Sequence, residues 1–349
     1  MPVTILAFVV IFSIVVFVHE LGHFVVAKLA GVRVDEFGFG YPPRLFRLFK
    51  RGDTEYTLNA IPIGGFVKVA GDDKPDDPRS MARRSPWVRL AFLLAGPAMN
   101  LALAALLFAV TFMMGVPAPG VGILEVEAGS PAAQAGLRVG DIIVGVDGQR
   151  VVMPSDLQAL IEERLGREVA LTVRRGGQEL AQPLRVPRAQ HAPDQGAMGV
   201  RIGVPEERVS YPLFSALGLG LQQALVSVVA IIGGLIAMVR GAVPADLAGP
   251  IGIAQMTGQV ARSGLTQLVE WTAFLSVNLF IINLLPIPAL DGGRLVFVGL
   301  ELLRGGRRVD PQKEGLVHFV GIVLLLTLFL VVSYFDVQRL VRGISVLGP

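Results

Sequence analysis

Apolar residues gather along the chain into five long stretches: Val3 to Val26, Leu90 to Met114, Val209 to Val239, Trp271 to Leu290 and Gly315 to Phe335. A helix needs about 20 apolar residues to cross the hydrocarbon of a bilayer, and each stretch approaches that length. Four of them carry no charge. The first is charge-free from Val3 to Val18 and then meets His19, Glu20 and His23 before it ends. It lacks the basic start and small-residue cleavage site of a signal peptide, so it is expected to stay as a helix. Residues 115–208 are polar enough to form a separate α+β domain, and within them 120–187 read as alternating short strands around a helix at roughly 154–165.

Composition agrees with the pattern. Of the 349 residues, 52% are hydrophobic and only 17% charged, and the mean hydropathy is +0.61, far from a disordered or an ordinary soluble chain. Cysteine is absent, which excludes a disulfide scaffold, thiol catalysis and thiolate metal sites. Any metal must be held by carboxylates and by the four histidines, His19, His23, His191 and His318. A net charge of +3 gives no reason to expect nucleic acid as a partner.

The location of the charges orients the chain. Arg33, Arg44, Arg47, Lys50, Arg51, Lys68, Lys74, Arg79, Arg83, Arg84 and Arg89 lie between the first two stretches, which makes that loop cytoplasmic by the positive-inside rule. The 115–208 domain is then outside. Arg304, Arg307, Arg308 and Lys313 make the link before the last stretch cytoplasmic as well. An odd number of crossings must separate the two, yet two apolar stretches lie between them. One should not span fully, and 209–239 is the candidate, interrupted as it is by Pro212, Gly218, Gly220, Gln222, Gln223, Gly233 and Gly234. The expected fold is a polytopic α-helical membrane protein of about four transmembrane helices, at 1–30, 89–114, 266–290 and 315–336. The segment 209–265 adds an interfacial or re-entrant piece, 31–88 a cytoplasmic membrane-associated β-hairpin region, and 115–208 the extracytoplasmic domain. A link at 291–314 and a tail at 337–349 complete the chain.

His19-Glu20-Leu21-Gly22-His23 is a His-Glu-x-x-His motif. On a helix its two histidines share a face and can reach one zinc ion, and the Glu can take a proton from zinc-bound water. Two buried, hydrogen-bonded histidines would be the plain alternative, but ionisable residues inside a membrane are costly and usually functional. Catalytic zinc needs one more protein ligand. Asp291, in Asn283-Leu284-Leu285-Pro286-Ile287-Pro288-Ala289-Leu290-Asp291-Gly292-Gly293, ends a stretch that runs the same way as the first, so it reaches the matching depth. The two prolines break that helix just before it. An Asp that merely caps the next helix would leave the Asn and the prolines unexplained. His318 and His191 are not expected to be ligands.

These motifs together resemble the site-2 protease family of intramembrane zinc metalloproteases, in its bacterial RseP-type branch, over essentially the whole chain. Phe37-Gly38-Phe39-Gly40, Ile61-Pro62-Ile63-Gly64-Gly65-Phe66-Val67-Lys68, Gly96-Pro97-Ala98-Met99-Asn100 and Gly249-Pro250-Ile251-Gly252-Ile253-Ala254 carry the likeness further. The resemblance implies one Zn²⁺ held by His19, His23 and Asp291, with Glu20 as general base. It implies that Asn278, Asn283, Pro286 and Pro288 lie near the substrate, and that the 61–69 strand, with Gly64, Gly65 and Phe66, pairs with it. Asn100 is read equally as a helix-packing residue or as part of the active site. It also implies a place in a bacterial cytoplasmic membrane, with single-span anti-sigma factors or remnant signal peptides as substrates. Pairing with 61–69 has an independent reason, because an unwound substrate helix needs partners for its freed backbone groups. An ordinary membrane-proximal hairpin is the alternative there.

Gly129-Ser130-Pro131-Ala132-Ala133-Gln134-Ala135-Gly136-Leu137, then Gly140-Asp141-Ile142-Ile143 and Asp147-Gly148, resemble the permuted PDZ domains of bacterial proteases. That likeness implies a peptide groove flanked by the strand near Gly122 to Val126 and the helix from Pro154, serving as a substrate gate or a partner-binding site for a peptide ligand; a bulky filter that excludes large ectodomains by size is the alternative. With ten Arg and twelve Asp plus Glu the domain favours no charged partner. There is room for one such domain, where the branch often has two. Two rivals fare worse. A PDZ-bearing scaffold with a structural metal would need four protein ligands and no Glu20, and a transporter would show inverted repeats, which are not seen.

Overall fold

The computed structural model describes residues 2–70, 77–184, 187–188, 196–242 and 248–342; Lys74, His191 and residues 343–349 of the tail lie outside them. It divides into two compact units, Met1–Thr111 with Pro212–Pro349, and Phe112–Tyr211.

In the first unit, helix α1 (Pro2–Leu29) and helix α2 (Pro86–Met114) meet backbone to backbone. A Cβ on Gly22 would stand 2.3 Å from the Ala95 carbonyl oxygen, so no other residue fits there. Between them, strands β1 (Val34–Arg51) and β2 (Thr54–Val69) are long enough to fold over and make four rows rather than a plain hairpin. Gly38 is bracketed by Phe66 on one side and Thr57 on the other, and Arg47 pairs with Thr57 in turn. The row nearest Phe66 is therefore an outer one, partnered on one side only among the described residues. It is held on α1 by Ser13, whose hydroxyl donates to the Pro62 carbonyl at 2.9 Å and accepts from the Gly64 amide at 3.3 Å.

After the second unit come α5 (Leu213–Val239), α6 (Pro250–Ser263), α7 (Leu265–Leu284), α8 (Asp291–Leu303) and α9 (Pro311–Val341). Here the structure corrects one expectation. Residues 213–239 form one uninterrupted helix rather than a broken segment, and among the described residues five helices are long and apolar enough to cross a membrane. Glycine does not break it because backbone groups without water have no better partner than the helix itself. The parity argument survives by another route. Gly220 at the start of α5 packs on Ala105 and Ala109, and Val239 and Arg240 at its end line one apolar cavity with Leu284 and Leu285. Helices α5 and α7 thus run the same way, and residues 240–264 must return between them. In that return α6 lies against the start of α1, Gly258 facing Thr4. Asp336 of α9, 2% exposed, caps it by accepting from the Gly249 and Gly252 amides at 3.2 and 2.8 Å. Nothing in the sequence had marked Asp336.

The second unit holds a short pair, β3 (Val116–Pro117) with β10 (Arg208–Val209), and a sheet in the order β8 (Gln178–Leu184), β7 (Val169–Arg175), β5 (Ile142–Val146), β4 (Val121–Val126), β9 (Val200–Gly203), with β6 (Gln149–Arg150) beside β5. Val121, Ile123, Ile143, Val146, Leu157, Leu171 and Val173 fill its core; along β7, buried Val169, Leu171 and Val173 alternate with the more exposed Ala170 and Thr172, as in a half-buried strand. Helices α3 (Pro131–Gln134) and α4 (Pro154–Glu162) flank it; Ser130 caps α3 by accepting from the Ala133 amide at 3.1 Å. This order puts β4 between β5 and β9: β5 pairs with its first residues, Val121 and Gly122, while β9 follows it to Val126.

Asp141 anchors the second unit electrostatically. It is 1% exposed and receives Arg175 Nε and Nη2, each at 2.7 Å, and the Arg138 amide at 2.8 Å. Burial pushes its carboxyl up, and the Arg175 and Arg138 bonds outweigh that and hold it below the ordinary carboxylate value. The native unit therefore binds fewer protons than the unfolded chain near about pH 4, and this stability is lost as pH falls. Asp141→Asn is expected to destabilise the unit by about 2 kcal/mol at neutral pH, with the deficit shrinking toward about pH 3. Hydrogen exchange of 121–175, normalised to intrinsic rates, reads both, and an equal deficit at both pH values contradicts the account.

Candidate metal centre

Helical spacing puts His19 and His23 one turn apart on the buried face of α1, 7% and 5% exposed. Pro286 and Pro288 end α7, so the chain turns and presents Asp291 as the first residue of α8. The two Nε2 atoms are 3.1 Å apart, and Asp291 Oδ2 stands 3.1 Å from His19 and 3.3 Å from His23. Tetrahedral zinc with bonds of roughly 2.0–2.1 Å spaces its ligand atoms about 3.3 Å apart. The triangle matches that spacing, and Asp291 Oδ2 is buried without a hydrogen-bond partner. Among the described residues this is the one group of three or more His, Cys, Asp or Glu side chains so gathered.

The surroundings fix the ring orientations. His23 Nδ1 donates to the Phe92 carbonyl at 2.8 Å, which leaves its Nε2 lone pair facing Asp291. His19 Nδ1 lies 3.2 Å from Asn100 Nδ2, while Asn100 Oδ1 is buried with no partner. Turning the Asn100 amide end for end satisfies that oxygen with the His19 Nδ1–H and frees His19 Nε2 in the same tautomer. Asn100 is thus a second-row partner of His19; its own backbone carbonyl accepts from Ser276 Oγ of α7 at 2.8 Å. Gly96 of α2 lets the rings in, since a Cβ there would sit 2.4 Å from His23 Nε2 and 2.7 Å from His19 Nε2.

Glu20 lies half-buried beside the pair and against the outer row of the sheet: a Cβ on Gly65 would be 3.1 Å from the Glu20 Cβ. Gly64 packs on Val16, and Phe66 pairs with Tyr41 at 6.2 Å between ring centres. The residues expected near the substrate lie at the end of α7 and in the turn after it. Asn278 and Asn283 donate back to the Phe274 and Leu279 carbonyls of their own helix, at 2.9 and 3.0 Å. Pro286 is exposed, and Pro288 seats α9 at Gly321.

A His-Glu-x-x-His helix and a carboxylate from a broken helix end, gathered inside a helical membrane unit, define a class: zinc metallopeptidases built into the bilayer. The profile of Peptidase family M50 matches residues 7–328, and the chain belongs to that family. It is 31% identical over 429 residues to zinc metalloprotease RasP of Oceanobacillus iheyensis, covering 97% of this chain and 99% of the relative. To the regulator of sigma-W protease RasP of Bacillus subtilis it is 31% identical over 423 residues, again 97% and 99%. A relative from Clostridium acetobutylicum is 37% identical over 330 residues, 93% and 95%. The two RasP alignments are longer than this chain, so those relatives carry segments it lacks. This protein is an intramembrane zinc metalloprotease, and zinc is its cofactor.

Proposed function

We propose that this protein cleaves peptide bonds within the membrane-spanning segments of single-span proteins, using His19, His23 and Asp291 to hold zinc and Glu20 as the general base. The observation that carries this reading is the adjacency of Glu20 to Gly65: the base stands beside a sheet row with an open edge, where an unwound substrate can add as a further strand. When bound, zinc supplies a Lewis acid and lowers the pKa of its water to about 7. Glu20 takes the proton of the attacking water and passes it to the amine that leaves. Asn100 and Phe92 keep the histidine tautomers constant through the cycle.

The name of the Bacillus subtilis relative supports anti-sigma factors as a substrate class, with remnant signal peptides as a second of the same chemistry. The basic loop between α1 and α2 supports a cytoplasmic position for the sheet and the metal centre, and so an extracytoplasmic second unit. We read that unit as a single PDZ-type domain. An outer strand, β9 or β8, is where a peptide would add to it, which supports a part in selecting substrates.

The test is cleavage of single-span substrates by purified protein, with the cut located by mass spectrometry. Cuts are expected inside the apolar segment, to be abolished by a zinc chelator and restored by Zn²⁺. Asp291→Ala is expected to lower zinc affinity by at least about 100-fold. Cuts confined to flanking loops, or wild-type zinc affinity in Asp291→Ala, overturn the reading.

A further inference from the structure

The turn that delivers Asp291 contains a residue in an unfavourable conformation. Ala289 has φ +78°, the left-handed region that side chains other than those of Gly, Asn and Asp rarely adopt. Such a conformation persists only where its surroundings impose it. Here the constraint comes from another helix: the Ala289 amide donates to Nδ1 of His318, on α9, at 2.9 Å. His318 is firmly placed for this. It packs on the Phe297 ring at 5.5 Å between centres, and its side chain is 13% exposed. Because Nδ1 accepts, the ring carries its proton on Nε2. That atom is buried without a hydrogen-bond partner, beside a cavity of about 240 Å³ that Glu314, Arg294 and Arg89 also line.

We propose that His318 is a positioning residue for the metal centre: by accepting the Ala289 amide it holds the Pro288-Ala289-Leu290 turn in its left-handed form and so brings Asp291 Oδ2 to both histidines. Two residues separate the hydrogen bond from the ligand, and the turn between them has little slack. The Leu290 carbonyl accepts from the Gly293 amide at 3.1 Å, and the Ile287 carbonyl from the Leu290 amide at 3.2 Å. The assignment rests on Asp291 being the third ligand.

Zinc affinity of the full-length protein, measured by chelator competition, tests it, with the visible spectrum of the Co²⁺-substituted protein as a second readout. His318→Leu removes the acceptor and is expected to weaken zinc binding by about tenfold, within the 10–100-fold range for outer partners of metal ligands, and to alter the Co²⁺ bands. His318→Asn, whose side-chain oxygen can stand where Nδ1 stood, is expected to keep most of the affinity. The decisive variant is His318→Leu with Ala289→Gly. Glycine adopts φ near +78° unaided, so the double variant is expected to regain most of the lost affinity, whereas damage to helix packing would not be repaired by a change at residue 289. Wild-type affinity in His318→Leu overturns the proposal, as does a loss that Ala289→Gly leaves untouched. Asp291→Ala measured alongside separates the two levels: wild-type affinity there removes the ligand assignment itself, while a large loss there with no effect at His318 removes only the positioning role.

Discussion

Replacing Glu20 with Gln is expected to abolish proteolysis by about 10²–10⁴-fold, the usual share of a general base, while bound zinc stays at the wild-type level. Gln keeps the length and most of the polarity of Glu but cannot take a proton at neutral pH, so the change isolates proton transfer from packing. The packing itself is undemanding, because Glu20 is half-buried and its neighbour across the sheet is the glycine at 65. Glu20→Asp keeps the acid and withdraws it by one methylene, so its rate is expected between the two. The measurement is turnover of a single-span substrate together with zinc stoichiometry in the same preparation. Activity of Glu20→Gln within tenfold of wild type, with zinc bound, removes the residue from its assigned role.

Gly96→Ala is expected to be as damaging while changing no ionisable group. Its methyl would lie 2.4 Å from His23 Nε2 and 2.7 Å from both Nε2 and Cε1 of His19, distances real carbon atoms do not keep. Either the rings turn away or α1 and α2 part, and overpacking of this kind costs roughly 1–3 kcal/mol in an ordinary core. Here the intruding group enters the space between ligand atoms, so zinc affinity is expected to fall at least about 100-fold, the upper end of outer-partner effects. Gly233→Ala supplies the control, since a Cβ there meets nothing within 4 Å and Ala favours the helix by roughly 1 kcal/mol over Gly. Chelator competition on both variants decides it; equal affinities contradict the close approach.

The parts of the site that are legible in the sequence are those written in local spacing or in broken patterns. His19, Glu20 and His23 stand out because ionisable side chains interrupt an apolar run, and Asp291 because two prolines end a helix at the matching depth. Long-range partners leave no such trace. Ser13 pinning the sheet row, Asp336 capping α6 and His318 holding Ala289 are single polar residues in otherwise ordinary surroundings, and only the folded chain shows what each one faces. Glycines and glutamines marked 209–239 as interrupted, yet 213–239 is one continuous helix, because a helix deprived of water keeps its hydrogen bonds. Strand content in 120–187 was readable from the pattern, but the order β8-β7-β5-β4-β9 was not, because β4 and β9 pair across about 80 residues of chain.

The seam between Gly22 and Ala95 has a bearing on inhibitor design. Where two helices touch through main-chain atoms, no rotamer change can open a path, and Gly96 closes the same wall directly behind the histidine rings. A compound that carries a metal-binding group is then expected to arrive from the opposite side, past the row at 61–69. If substrate adds to that row as proposed, slender peptidomimetics with the chelating group set into an extended backbone are the inhibitors expected to fit.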